Sequence, residues 1–374
     1  MIARRLNIRL LSLAIALAAL AALQIAREYR PSFVGPEVRL RAYVANAGDG
    51  TVSVVDLVGL TTIATIPVGP APSGLRQRPD QKEIWGVSTG GGYAWVLDAA
   101  AGNIAARIPV GAAPFGVDFS PDGRRAYVAA SGANTLVAID AATRQVTARA
   151  RTGRRPCLAR ITPDGRTVIV PNRDDSTLQL FDAETLAPIA TIGVASHPEH
   201  VVVLPDSSMA FVSAADAQQI SAVDLRRRVL LANLALGGTP AEMFLKPDGG
   251  ELYVTVPASH GIEILNTSTA EVAESRVVGL TPTEGTLTPS ADVLYLSDLA
   301  AGRVLPITVE TRHVGSPIPV GHSPGACRLD PSGELLLVVN QDSNDLAVIR
   351  LRTSSLLTMV PVGSRPSDLA VLRF

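Results

Sequence analysis

Residues 112–153 read AAPFGVDFSPDGRRAYVAASGANTLVAIDAATRQVTARARTG. Pro114 to Phe119 is a short apolar run, and Pro121-Asp122-Gly123 carries the residue types a tight turn favours. Arg125 to Ala130 alternates as a second strand and Leu136 to Ile139 forms a third. Asp140 can accept bonds from the backbone that follows it and so open the next turn. Gln145 to Ala150 makes a fourth strand, and Gly153 hands the chain on. Four strands in roughly 40–45 residues is the length of one β-propeller blade.

The unit recurs without slippage. Pro72, Pro114, Pro156, Pro198, Pro240, Pro282, Pro324 and Pro366 are each 42 residues apart. Pro79, Pro121, Pro163, Pro205, Pro247, Pro289 and Pro331 repeat the same interval. Asp56, Asp98, Asp140, Asp182 and Asp224 form a third series, continued by Asn266, Thr308 and Arg350. No stretch after residue 40 sustains a 3.6-residue period, which excludes a helical solenoid.

Seven full units run from Pro72 to Gly363. Residues 41–69 supply strands two to four of a further blade, and Pro366 to Phe374 supplies a lone first strand. Joining them closes the ring and removes both open edges. The expectation is therefore an all-β fold: an eight-bladed β-propeller of four-stranded blades, closed by pairing of the N- and C-terminal strands and spanning 41–374. Seven blades is the alternative, with the weak unit at 280–321 left outside the ring.

Composition narrows the function. Hydrophobic residues make up 47% and charged residues 18%, enough for a packed core. Lys+Arg 33 against Asp+Glu 34 leaves a net charge of −1, and aromatics are only 4%. Neither the basic footprint nor the stacking platform of a nucleic-acid binder is present. Two cysteines are too few for a disulfide scaffold or a four-thiolate metal site. At the start, Arg4, Arg5 and Arg9 precede an apolar core from Leu10 to Ala26. Residues 1–26 thus read as a signal peptide or an uncleaved membrane anchor, and 27–40 as a connector. The propeller is expected outside the cytoplasm, periplasmic or in the cell envelope, touching membrane only through residues 10–26. A monomer is expected.

The segments Tyr43-Val44-Ala45-Asn46-Ala47-Gly48-Asp49-Gly50 and Pro109-Val110-Gly111-Ala112-Ala113-Pro114-Phe115-Gly116, with Pro121-Asp122-Gly123, resemble the YVTN-type β-propeller repeat. The resemblance covers residues 41–374 and is specific for fold rather than function. It implies kinship with exported and surface-layer propellers, with the haem d1-binding propeller of cytochrome cd1 nitrite reductase, and with lactonase-like enzymes. The chain departs from the nitrite reductase in having no Cys-x-x-Cys-His. No lactonase active-site motif carries over.

In this strand order the loops before each first strand and those between strands two and three share one face. Uniform spacing leaves no blade with a lid, so a site must form from short loops and the channel mouth. Two residues after each first-series proline come Gly74, Gly116, Leu158, His200, Glu242, Glu284, Ala326 and Asp368. His200, Glu242 and Glu284 stand on successive blades and could hold a divalent metal, act as an acid–base set, or simply line a wet channel. Two residues further come Arg76, Asp118, Arg160, Val202, Phe244, Thr286, Arg328 and Ala370. Arg76, Arg160 and Arg328 suit a carboxylate or phosphate ligand, or structural ion pairs with the acids above. His197, His200, His260 and His322 map to the same face, whereas His313 does not. Cys157 and Cys327 fall on opposite sides of the ring, too far apart for a disulfide, and read as small buried hydrophobes.

Three functions fit. The first is a binding scaffold for a protein partner or small ligand at the loop face and channel mouth. The second is a metal- or haem d1-type cofactor-dependent enzyme (oxidoreductase or lactonase-like) at that mouth. The third is a structural envelope component. No complete catalytic set appears in the sequence.

Overall fold

The computed structural model describes residues 39–79 and 82–374. The export segment expected over 1–26, and the connector up to residue 38, lie outside the described residues. Among the described residues are eight four-stranded antiparallel sheets. No helix among them is long and apolar enough to cross a membrane.

Each full unit forms one sheet, with the strands in chain order from hub to rim. In the unit quoted above they are Pro114–Phe119, Arg125–Ala130, Thr135–Asp140 and Gln145–Arg151. The ring closes by a composite blade, here the first, in which Pro366–Arg373 pairs with Leu40–Asn46, followed by Thr51–Asp56 and Thr61–Pro67. Its register runs from Leu40↔Arg373 to Ala45↔Asp368. The weak unit lies inside the ring as the seventh blade, its outer strand reduced to Ile318–Pro319. Inner strands of neighbouring blades touch from the seventh through the eighth, first and second to the third, which places them at the hub.

There is no central core. Eight apolar clusters each lie between adjacent blades. Middle strands are covered on both faces and bury consecutive residues, as Leu136 to Ile139 do, which is why they read as unbroken apolar runs. Outer strands such as Gln145–Arg151 keep one face in water and alternate. Trp85 and Phe119 meet edge to face at 5.4 Å across one such interface.

Local chemistry explains the repeat. Asp140 accepts bonds from the amides of Ala142 and Thr143 and from the Thr143 hydroxyl, which holds its carboxyl below the usual range. Gly123 sits at φ +66, a left-handed position its turn requires. Where the aspartate series ends at Arg350, a 3₁₀ turn over Leu351–Thr353 replaces the side-chain-bonded one. On the loop face, amides after the second strand donate to the carbonyl that precedes the blade's proline. Thr89 to Ala71, Ser131 to Ala113, Arg173 to Arg155 and Ala215 to His197 span 3.0–3.2 Å. In the sixth blade the donor position is Pro257, which has no N–H, and a 3₁₀ turn over Pro257–Ser259 stands there instead.

Deleting residues 366–374 removes the inner strand of the composite blade and bares the edge of Leu40–Asn46. The truncated chain is expected to aggregate, or to melt about 10 °C or more below the intact one. Calorimetry beside size-exclusion chromatography checks this, and an unchanged melting temperature would show the closure to be dispensable.

Candidate functional site

The inner-strand segments bring seven of the ionisable residues singled out in the sequence into one cavity. His200, Glu242, Glu284 and Asp368 line it, together with Arg76, Arg160 and Arg328. Its volume is about 210 Å³. The first four stand nearer the loops, and the arginines lie two residues deeper along their strands, about 6–7 Å at the strand rise.

Glycine shapes the opposite wall. A Cβ on Gly74 would come within 2.6 Å of the Gly116 Cα, and one on Gly116 within 2.6 Å of the Leu158 Cδ1. The second and third blades therefore close tightly at the hub, with Leu158 of the fourth folded over Gly116. Phe115, 48% exposed, stands beside them at the rim. At the level nearer the loops the cavity is thus apolar on one side and ionisable on the other. Phe115 was not singled out from the sequence. The signal available was its position, one residue after a first-series proline, where the other blades carry Ser73, Cys157, Glu199, Ala241, Thr283, Gly325 and Ser367.

Both aspartates brace the ring. Asp368 Oδ2 accepts the Leu75 amide of the next blade at 2.9 Å, and its Oδ1 accepts the Leu369 amide at 2.9 Å. Arg328 Nη2 lies 3.4 Å from Asp368 Oδ1. Asp118 Oδ2 accepts the Ile161 amide at 3.1 Å, and Arg160 Nη1 lies 3.9 Å from Asp118 Oδ1. Arg160 and Arg328 are therefore paired, in line with the ion-pair alternative. Arg76 differs. Its Nη1 donates to the Leu75 carbonyl at 3.0 Å, and among the described residues no carboxylate stands at ion-pair distance. Burial, and then the neighbouring Arg160, push its guanidinium down from the usual value.

The glutamates are less committed. Glu242 Oε1 accepts only the Met243 amide, at 3.0 Å, and no side-chain hydrogen bond of Glu284 is formed among the described residues. Burial first, then Asp368 and Glu242, push the Glu284 carboxyl up to about 7, against a smaller opposing pull from Arg328. For Arg328 the carboxylates outweigh burial and hold its guanidinium above the usual value.

Among the described residues no three His, Cys, Asp or Glu side chains stand where they could hold one metal ion. The shared cavity does not draw His200, Glu242 and Glu284 into a ligating set. The other loop-face histidines stay apart from it: His197 Nδ1 lies 2.5 Å from Asp216 Oδ2, and His260 Nδ1 lies 2.5 Å from the Leu280 carbonyl. Cys157 and Cys327 are free and buried, as the sequence indicated, and burial pushes their thiols up to about 11 and about 12. The two serines of the lining are engaged with backbone: Ser73 Oγ donates to the Phe115 carbonyl at 3.3 Å, and Ser367 Oγ reaches Pro72 O at 3.3 Å.

Known proteins place the chain by fold. The sequence profile of the YNCE-like beta-propeller family matches residues 94–373. Among solved structures, dihydro-heme d1 dehydrogenase NirN in complex with DHE superposes with a TM-score of 0.76 at 18% identity, covering 88% of this chain and 74% of that one. Apo AztD from Citrobacter koseri gives 0.68 at 12% identity, covering 90% and 98%. Hydrazine synthase from Kuenenia stuttgartiensis gives 0.57 at 18% identity, covering 70% and 95%. At such identities the likeness is one of fold. A comparison with curated proteins yields no match. The propeller kinship expected from the repeat is borne out, including its likeness to a d1-type propeller.

A carboxyl whose folded value lies near 7 and whose ordinary value is 4.5 costs stability as pH rises between the two. Glu284→Gln removes that cost. Melting temperatures of variant and wild type should coincide below pH 4.5, and the variant should melt about 2–5 °C higher above pH 7. Thermal melts from pH 4 to 8 check this, and parallel curves would mean that Glu284 titrates as an ordinary glutamate.

Proposed function

The chain belongs to the YNCE-like β-propeller family, and from that premise we propose that it is an exported binding protein that takes a small ligand at the channel mouth. The observation that carries the reading is the convergence of seven ionisable side chains with an apolar wall in one cavity, four of them at the ring position where the second and third blades have glycine. Such a mixture of apolar surface and a few convergent polar groups is what small-molecule sites are made of.

Three features favour binding over catalysis. Ser73 and Ser367 bond to backbone carbonyls, not to a base. Both thiols are buried and hard to ionise. Among the described residues His200 makes no side-chain bond to a carboxylate that would orient it, as a triad demands. The size of the cavity speaks for a small molecule. About 210 Å³ falls below the roughly 300–1,000 Å³ that accommodates drug-sized ligands, and a tetrapyrrole is bulkier than the volume allows. The short loops add no further wall.

Two measurements test the reading. In a thermal-shift panel of amino acids, carboxylic acids, amines and sugars, at least one compound should stabilise the wild type by several degrees. It should not stabilise Leu158→Trp, which fills the mouth. No response from any compound, or an equal response from the filled variant, would contradict a channel-mouth site. For export, residues 1–40 fused to a reporter active only outside the cytoplasm should yield activity that is lost when Arg4, Arg5 and Arg9 are replaced by Glu. An inactive wild-type fusion would contradict export.

A further inference from the structure

We infer that the channel mouth is built for a small zwitterion with an apolar body, a molecule of the α-amino-acid class, with its carboxylate on Arg76, its ammonium between Glu242 and Glu284, and its side chain on Phe115 and Leu158. The inference rests on the channel-mouth reading above and names its ligand.

Three observations on the lining converge on this class. The first is what remains after internal pairing. Arg160 and Arg328 are matched by Asp118 and Asp368, and both aspartates are held by backbone amides of neighbouring strands. Among the described residues that leaves one guanidinium, Arg76, with no carboxylate at ion-pair distance, and two glutamates, one with no side-chain hydrogen bond. A half-buried cation and a half-buried anion left open in one cavity call for a ligand bearing both signs.

The second is the layering. The glutamates occupy the ring position nearer the loops and Arg76 the position two residues deeper. At the strand rise those levels are about 6–7 Å apart along the channel axis, and Arg76 on the second blade stands across the channel from the glutamates on the sixth and seventh, so a molecule bound between them meets the carboxylates at its outer end and the guanidinium deeper in. The third is the apolar wall, which lies on the third and fourth blades, whereas the glutamates lie on the sixth and seventh. A ligand held at both charges directs its remaining substituent at Phe115 and Leu158.

Other ligands leave something unmatched. A plain carboxylate satisfies Arg76 and brings no cation to two neighbouring glutamates. A plain amine satisfies the glutamates and leaves the guanidinium unpaired. Glu284, held near neutral by burial and by Asp368 and Glu242, regains its charge when an ammonium arrives.

Calorimetric titration of the purified protein tests the inference with three probes of one skeleton: L-leucine, 4-methylpentanoate, which lacks the amine, and 3-methylbutylamine, which lacks the carboxylate. Leucine should bind about ten- to a hundred-fold more tightly than either. Arg76→Gln should weaken leucine by a similar factor and leave 3-methylbutylamine unchanged. Phe115→Ala, at an exposed site that does not endanger folding, should weaken L-leucine and L-phenylalanine and spare glycine. Equal affinity for 4-methylpentanoate or 3-methylbutylamine, displaced by filling the mouth with Leu158→Trp, would overturn the zwitterion and keep the site. Leucine affinity unchanged in Arg76→Gln and Phe115→Ala would overturn the assigned contacts. No binding of leucine, valine or phenylalanine at millimolar concentration would overturn the inference, and the panel response of the wild type then decides whether the mouth binds anything else.

Discussion

The pairing of Leu40–Asn46 with Pro366–Arg373 is the contact on which the other blades depend. A propeller built from a strict repeat has no central core to hold it, only interfaces between neighbours, and an open ring would leave two of those interfaces half wet. The repeat starts out of phase with the blade, so that strand one of the composite sheet comes from the far end of the chain. Its seal is reinforced at both ends. The Phe374 amide donates to the Arg39 carbonyl at 2.8 Å. The Phe374 ring lies 5.4 Å from the guanidinium carbon of Arg41 and 5.2 Å from the ammonium of Lys82 on the next blade. At the hub, Asp368 reaches across to the Leu75 amide.

The same closure completes the cavity. Asp368 enters the channel on the closing strand, pairs with Arg328 on one side and braces the second blade on the other. Acids and bases in and around the lining are therefore sorted into those that hold the ring and those that remain open. Asp118 and Asp368 belong to the first group, with Arg160 and Arg328. Arg76, Glu242 and Glu284 belong to the second, and face an apolar wall that exists because Gly74 and Gly116 let the second and third blades approach so closely. Stability and the proposed recognition thus draw on one short stretch shared by these inner strands.

Much of this was legible in the sequence because a period fixes a backbone. The prolines at 42-residue intervals set the register, the aspartates marked the outer turns, and counting strands from both ends gave eight blades, with the unit at 280–321 included. One offset after each proline also identified His200, Glu242, Glu284 and Asp368 as neighbours. Side-chain commitments were not legible. Whether an arginine is paired depends on the reach of a carboxylate on another blade, as with Asp118 and Arg160, and periodicity is silent on that. Phe115 went unnoticed because an aromatic in an apolar strand reads as core, and only the structure turns it to the rim. Nor did the proline spacing foretell that the inner strands of the fourth and sixth blades shrink to Arg160–Ile161 and Met243–Leu245.

Native-state hydrogen exchange read at single amides tests the closure most directly. If the terminal strands seal the ring, the ladder amides of Tyr43, Ala370 and Leu372 open only with the whole molecule, at the same free energy as the amides of Val128 and Val137 in the third blade. If the C-terminal strand exchanges early while the third blade stays protected, the ring is held by the other seven blades and the closure does not have the role assigned to it.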